Sequence, residues 1–219
     1  MIKIALPKGD SQDAVRQFLS ERSIEFAGYR KDARAYESRI QEAKVLFSKQ
    51  FREKDIPIQV SIGNYDLGFC GTQWVAEYVR QYPRSDLMTL RTLDIPEGEI
   101  CVCCAASESA GKKGEALLWH LAKRGPVRIA TEFPSLAEEY ALKKRLPDFR
   151  IFPLWGAAEA YPPEGAELIL MSVRDQTLIE RNNLSILERL FTASVCLIAN
   201  KPLFEKKDLT FLLDKLVKG

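Results

Sequence analysis

One histidine, His120, stands in 219 residues, and that scarcity excludes a good deal. Zinc sites and nucleophile–histidine relays draw on imidazole, so neither a metal centre nor a Ser-His-Asp triad is expected. His120 falls in a helical stretch, 116–124, and reads as a surface or packing residue. Cysteine is sparse too, and the five thiols at Cys70, Cys101, Cys103, Cys104 and Cys196 are odd in number, as suits reduced side chains. Charge of one sign is not in excess: 32 basic against 30 acidic residues leave +2, no electrostatic footprint for nucleic acid. No apolar run approaches the roughly 20 residues that span a bilayer, and the N-terminus leads straight into a strand. A cytoplasmic protein binding neither nucleic acid nor membrane is therefore expected. There is no internal repeat and no low-complexity segment.

What is present is an alternation of short apolar runs with amphipathic stretches, which argues for an α/β protein with largely parallel sheets. Residues 2–6 form a strand stopped by Pro7-Lys8-Gly9. The following helix carries Ala14, Val15, Phe18 and Leu19 on one face, with Asp10 or Ser11 as its cap. Strand, turn and helix start make an anion site with Lys8 beside it, although a lysine in such a turn is often only solvated. Arg30, Arg34 and Arg39 lie in a charge-rich stretch, 28–42, that reads equally well as a solvated face. Arg52 and Asp55 open a helix with Pro57 in its first turn, where proline is tolerated. A strand over 65–69, containing Asp66, then turns through Gly68, Gly71 and Thr72 into a helix bearing Gln73, Trp74 and Tyr78.

Strands are expected over 87–93 and 100–106, the second burying the cysteines as small hydrophobes. Cys70, in the glycine-bounded turn, is the better candidate for a reactive thiol. Residues 107–114 break the pattern as an interlobe loop or lid, and Lys112-Lys113 there could meet a polyphosphate or simply be solvated. A strand over 127–131 precedes a helix with a Ser135–Glu138 capping box. Strands follow over 150–154 and 166–170, the latter ending in the polar turn Arg174-Asp175-Gln176-Thr177. Another strand covers 195–199, and Leu209, Leu212, Leu213 and Leu216 make a closing helix.

Four segments together resemble ATP phosphoribosyltransferase, the first enzyme of histidine biosynthesis. They are L-P-K-G at 6–9, R-E-K-D-I-P through G-N-Y-D-L-G-F-C-G-T-Q-W over 52–74, I-A-T-E-F-P at 129–134, and W-G-A-A-E at 155–159 leading to N-N-L at 182–184. L-I-A-N-K at 197–201 adds to them. The resemblance covers nearly the whole chain. It implies a two-lobed fold of the periplasmic-binding-protein type (type II), with lobe I at 1–92 completed by 182–219 and lobe II at 93–181. It also implies the short form of the enzyme, which works as a homo- or hetero-oligomer with a histidyl-tRNA-synthetase-like regulatory subunit.

By the same resemblance the substrates are ATP and phosphoribosyl pyrophosphate, with Mg²⁺ accompanying them. Lys8 and Arg52 are then phosphate contacts, and Arg174, Asp175, Gln176 and Thr177 form the loop for the sugar 5′-phosphate. Arg30, Arg34, Asp66, Gly71, Thr72, Gln73 and Glu159 are further cleft candidates, and Asp55 is a helix cap. Two departures are chemically consequential. The family loop E-T-G-S-T reads V-R-D-Q-T here, so a carboxylate at Asp175 replaces the glycine that lets backbone approach phosphate. Arg174 would offset that charge if turned inward, and which of the two faces the ligand is open. Gln73 replaces an aspartate. A paralogue that has lost transfer and keeps a ligand-binding or regulatory role is the alternative, and a transferase for another substrate is a third reading.

Overall fold

The computed structural model describes residues 1–26, 28–29, 37–39, 46–107, 109 and 114–217. The chain divides into two compact units, Met1–Pro96 with Ser194–Gly219, and Glu97–Ala193.

In the first unit, β1 (Ile2–Lys8) lies parallel to β3 (Leu46–Arg52) and to β4 (Leu67–Gly71). The short β2 (Glu37–Arg39) runs antiparallel to β3, and β9 (Leu184–Asn200) antiparallel to β4, giving the order β2-β3-β1-β4-β9. Period-two alternation separates the two faces. Ile2, Ile4, Leu6, Leu67, Phe69 and Leu197 pack on one side with α1 (Gln12–Ser20) and α8 (Thr210–Leu216), through Val15, Phe18, Leu19, Leu212 and Leu216. Ala5, Cys70, Cys196 and Ile198 pack on the other, against Ile56 and Val60 of α2 (Ile56–Ser61). The approach of α2 is close enough that a Cβ on Gly68 would stand 2.7 Å from Ile56 Cγ2 and 2.8 Å from Val60 Cγ2. Two further helices, α3 (Thr72–Gln81) and α7 (Lys201–Lys206), complete the unit.

The second unit has the order β5-β8-β6-β7. Here β8 (Leu168–Val173) is antiparallel to β5 (Leu87–Ala105) and parallel to β6 (Val127–Thr131), which is parallel to β7 (Phe149–Pro153). Helices α4 (Glu115–Ala122), α5 (Pro134–Lys143) and α6 (Gln176–Arg181) accompany it. Cys101, Cys103, Ile169, Met171 and Val173 form its core with Ile179 of α6.

Several expectations are corrected. The strands expected over 87–93 and 100–106 are one strand, β5, because Asp94 to Glu99 stay extended despite Pro96 and Gly98. The compact units divide inside β5 and β9, at 96/97 and 193/194, near the expected lobe bounds of 92/93 and 181/182. Three capping assignments fail. Ser11 holds the N-cap position of α1, but its hydroxyl donates elsewhere. Asp55 precedes α2 without a side-chain cap, and α5 begins at Pro134, which places Ser135 inside its first turn. Cys70 lies within β4 and is fully buried, as are the other four thiols. Cys101 and Cys104 are three apart on a strand, so they point to opposite faces. Burial pushes the thiols of Cys101 and Cys103 up to about 11 and about 12, so neither is nucleophilic at neutral pH. Arg30, Arg34 and most of the stretch 107–114, with Lys112 and Lys113, lie outside the described residues.

Candidate functional site

In an α/β unit the loops at the carboxyl ends of the parallel strands carry the ligand chemistry. In the first unit those ends are Lys8, Arg52 and Gly71. Lys8 and Arg52 are register partners on adjacent parallel strands, so their side chains leave the same face of the sheet, and both are exposed. Two cations one strand spacing apart suit an anion that comes between them.

Beside them lies a carboxylate that sequence reasoning passed over. Glu53, the residue after β3, accepts a hydrogen bond from the Ser11 hydroxyl through Oε1 and one from the Gly71 amide through Oε2 at 3.1 Å. It thus joins the turn before α1 to the turn before α3. Tyr29 holds the same region from beneath: its buried hydroxyl donates to the Pro7 carbonyl at 3.0 Å. Burial and then the charge of Glu53 raise the Tyr29 hydroxyl far above its ordinary value, so it stays a donor.

The other first-unit candidates are not at this edge or do not face out from it. Asp66 precedes β4 and so lies at the opposite end of the strand from Gly71. It is buried, accepts from the Lys3 amide at 2.8 Å and pairs with Lys207 Nζ at 2.7 Å. That is a structural tie for the C-terminal segment. The Thr72 hydroxyl accepts from the Ser194 amide at 3.2 Å, fastening α3 to β9. Gln73 is 3% exposed and packs behind the Gly71 turn.

In the second unit the corresponding ends are Thr131, Pro153 and Val173. Thr131 is buried; its hydroxyl donates to the Leu170 carbonyl at 2.7 Å and accepts from the Phe133 amide at 2.8 Å, shaping the turn into α5. After β7 the chain passes Gly156 and Ala157, both at positive φ, into a 3-10 turn, Ala158–Ala160, that contains the half-buried Glu159. A left-handed alanine is costly, as is common where backbone is shaped for a ligand.

In the polar turn after β8 the two charged side chains take different partners. Arg174 donates through Nη2 to the carboxylate of Glu97 and through Nε to its carbonyl at 3.3 Å. Asp175 is the N-cap of α6: its carboxylate accepts from the Thr177 amide at 2.9 Å and from the Thr177 hydroxyl. Those hydrogen bonds, with a smaller contribution from Arg181, hold the Asp175 carboxyl below its usual range. A carboxylate therefore engages the donors that the resemblance assigns to phosphate. Gln176 and Thr177 are exposed in the first turn of α6. Glu97 escaped the sequence reading because it sits in D-I-P-E-G-E, 94–99, an acidic run with Pro96 and Gly98 that reads as a turn between two strands. Glu53 escaped because it sits in a charged run, R-E-K-D, that reads as surface.

A family model described as HisG, ATP phosphoribosyltransferase, matches residues 52–218. The ATP phosphoribosyltransferase of Caldicellulosiruptor bescii is 31% identical over 206 residues, spanning 92% of this chain and 90% of that protein. That of Thermotoga petrophila is 27% identical over 219 residues, with 99% and 93% covered. Among solved structures, the ATP phosphoribosyl transferase (HisG:HisZ) complex from Thermotoga maritima aligns over 100% of this chain and 98% of that one, with a TM-score of 0.78 at 24% identity. The alkanesulfonate-binding protein SsuA from Xanthomonas axonopodis aligns with a TM-score of 0.58 at 12% identity over 98% and 71%. These two likenesses bear out the type II periplasmic-binding-protein fold class. With the family model spanning residues 52–218 of 219, and a relative above 30% identity covering nine-tenths of the sequence, the chain belongs to the ATP phosphoribosyltransferase family.

Proposed function

We infer that this chain catalyses the first step of histidine biosynthesis, transfer of the phosphoribosyl group of phosphoribosyl pyrophosphate to N1 of ATP. The family match over residues 52–218 carries that reading. In the reaction a bond forms between N1 of ATP and C1 of the donor sugar, and the bond from C1 to the pyrophosphate oxygen breaks. The nucleophile belongs to ATP, so the protein positions the reactants and stabilises charge. A single histidine is no handicap for that chemistry. Lys8 and Arg52 are assigned to the polyphosphate, whose oxygens the paired cations suit. Mg²⁺ is assigned to the substrates, since Lys8 and Arg52 at the strand ends are cations rather than metal ligands; bound there, it would offset the charge of the pyrophosphate.

The turn Arg174-Asp175-Gln176-Thr177 is assigned to the 5′-phosphate. In that role the Asp175 carboxylate gives up the Thr177 amide and hydroxyl to the incoming anion, while Arg174 stays on Glu97. Gly71 contributes its turn, and Glu159 remains a candidate in the second unit. A HisZ-type, histidyl-tRNA-synthetase-like subunit is the proposed regulatory partner, and the cytoplasm the proposed compartment; among the described residues no helix is long and apolar enough to cross a membrane.

The test is pyrophosphate release from purified protein given ATP, phosphoribosyl pyrophosphate and Mg²⁺, with and without a HisZ-type subunit. Phosphoribosyl-ATP in step with pyrophosphate is expected. Absence of both with the partner present would overturn the assignment.

A further inference from the structure

Building on that reading of the site, we propose that Glu53 is a positioning residue for polyphosphate binding, acting through Ser11 and Gly71 rather than on the substrate. The Glu53 carboxylate uses one oxygen for each of two loops. Oε1 accepts from the Ser11 hydroxyl, at the start of α1, and Oε2 accepts from the Gly71 amide, at the start of α3. Ser11 is 2% exposed and Gly71 is buried, so both bonds run in a place where a loose donor is costly. Glu53 follows Arg52 directly, and Arg52 is the register partner of Lys8. One carboxylate therefore fixes the ends of β1, β3 and β4 to one another, and those three ends carry Lys8, Arg52 and the Gly71 turn.

The carboxylate also supplies a charge reason for its place. Both loops it joins lead into helices of nine and ten residues, whose starts favour a negative group. Bonds to an ionised acceptor are the stronger kind, so the two turns are held before substrate arrives. Binding then need not order them, and the affinity of the polyphosphate carries that saving.

The experiment is steady-state kinetics of the full chain with its HisZ-type subunit, comparing E53A, E53Q, S11A and the double variant E53A/S11A. E53A is expected to raise KM for phosphoribosyl pyrophosphate about tenfold, with kcat within about threefold and the KM for ATP less affected. In E53Q the amide oxygen still accepts from Gly71 while its nitrogen donates to a rotated Ser11 hydroxyl, so most of the loss should be recovered. S11A should move the same KM by about threefold. The double variant should be no worse than E53A, because the serine acts only through the glutamate. Unchanged KM values in both E53A and S11A would overturn the proposal, as would additive losses in the double variant. If E53A does not fold, E53Q and S11A carry the same decision. An inactive wild-type complex would instead sink the assigned reaction, so the two failures are distinct.

Discussion

Arg174 rests its guanidinium on the carboxylate of Glu97, a residue only 1% exposed at the centre of β5. The neighbouring Gly98 makes the fit possible. Its φ is +95°, and a Cβ there would stand 2.6 Å from the Val173 carbonyl oxygen and 2.9 Å from Arg174 Cγ. The pair thus anchors the root of the turn that follows β8. Removing the arginine would take a charged partner from a buried carboxylate. A fully buried broken pair costs about 3–5 kcal/mol, and with the Arg174 side chain 41% exposed, R174A is expected to lose about 1–3 kcal/mol in urea unfolding. A midpoint equal to wild type would show that the pair contributes nothing.

Asp175 offers a sharper functional test. Asn is also a good N-cap and keeps an oxygen for the Thr177 amide, so D175N removes the charge while retaining the cap. Calorimetric titration with phosphoribosyl pyrophosphate should show binding about tenfold tighter than wild type, with an unchanged melting temperature. Equal affinity would mean that the phosphate does not approach this carboxylate.

The salt bridge between Arg128 and Glu167, at 2.7 Å, predicts a pH dependence. Burial pushes the Glu167 carboxyl up, but the hydrogen bonds and charge of Arg128 outweigh it and hold it below its ordinary 4.5. Folded and unfolded forms are both ionised above that value, where the stabilisation is complete. It is lost as pH falls through the lower folded value. Stability measured from pH 6 down to pH 3 should fall less steeply in E167Q than in wild type; parallel curves would contradict the assignment.

Gly68 tests the packing behind the site. G68A puts a methyl into Ile56 and Val60, so α2 must shift, and a loss of about 1–3 kcal/mol is expected from denaturant unfolding. Wild-type stability would mean that the helix yields freely.

The thiols make a simpler prediction. With all five cysteines buried, a thiol-specific reagent should label the native chain slowly at each one and label all five promptly in urea. Rapid native labelling of Cys70 would restore it as a reactive residue.

Sequence made the alternating architecture and the strand-end cations legible, because apolar periodicity and the turns around Lys8 and Arg52 are local signals. The fully buried cysteine strand was legible for the same reason. Long-range partners were not. Glu53 finds Ser11 42 residues away, and Arg174 finds Glu97 77 residues away, so neither relationship leaves a spacing to read. Capping residues misled in the other direction. Ser11, Asp55 and Ser135 have the right chemistry for caps, yet Ser11 bonds to Glu53, Asp55 already ends a 3-10 turn over Glu53–Asp55, and the helix at Ser135 starts one residue earlier. At Asp175 the competing principle ran the opposite way: a residue read as an intruder in a phosphate loop serves as a helix cap.

The division inside β5 and β9 bears on how the protein is made. Residues 97–193 are contiguous, so that unit has all of its strands and helices as soon as they leave the ribosome. The first unit begins earlier but cannot close until 194–219 emerges, because Leu212 and Leu216 fill its core and Lys207 neutralises the buried Asp66. Until residues 194–217 emerge, Ile4, Leu67 and Phe69 lack their final cover, and a nascent chain stalled before residue 194 would present that apolar surface to chaperones.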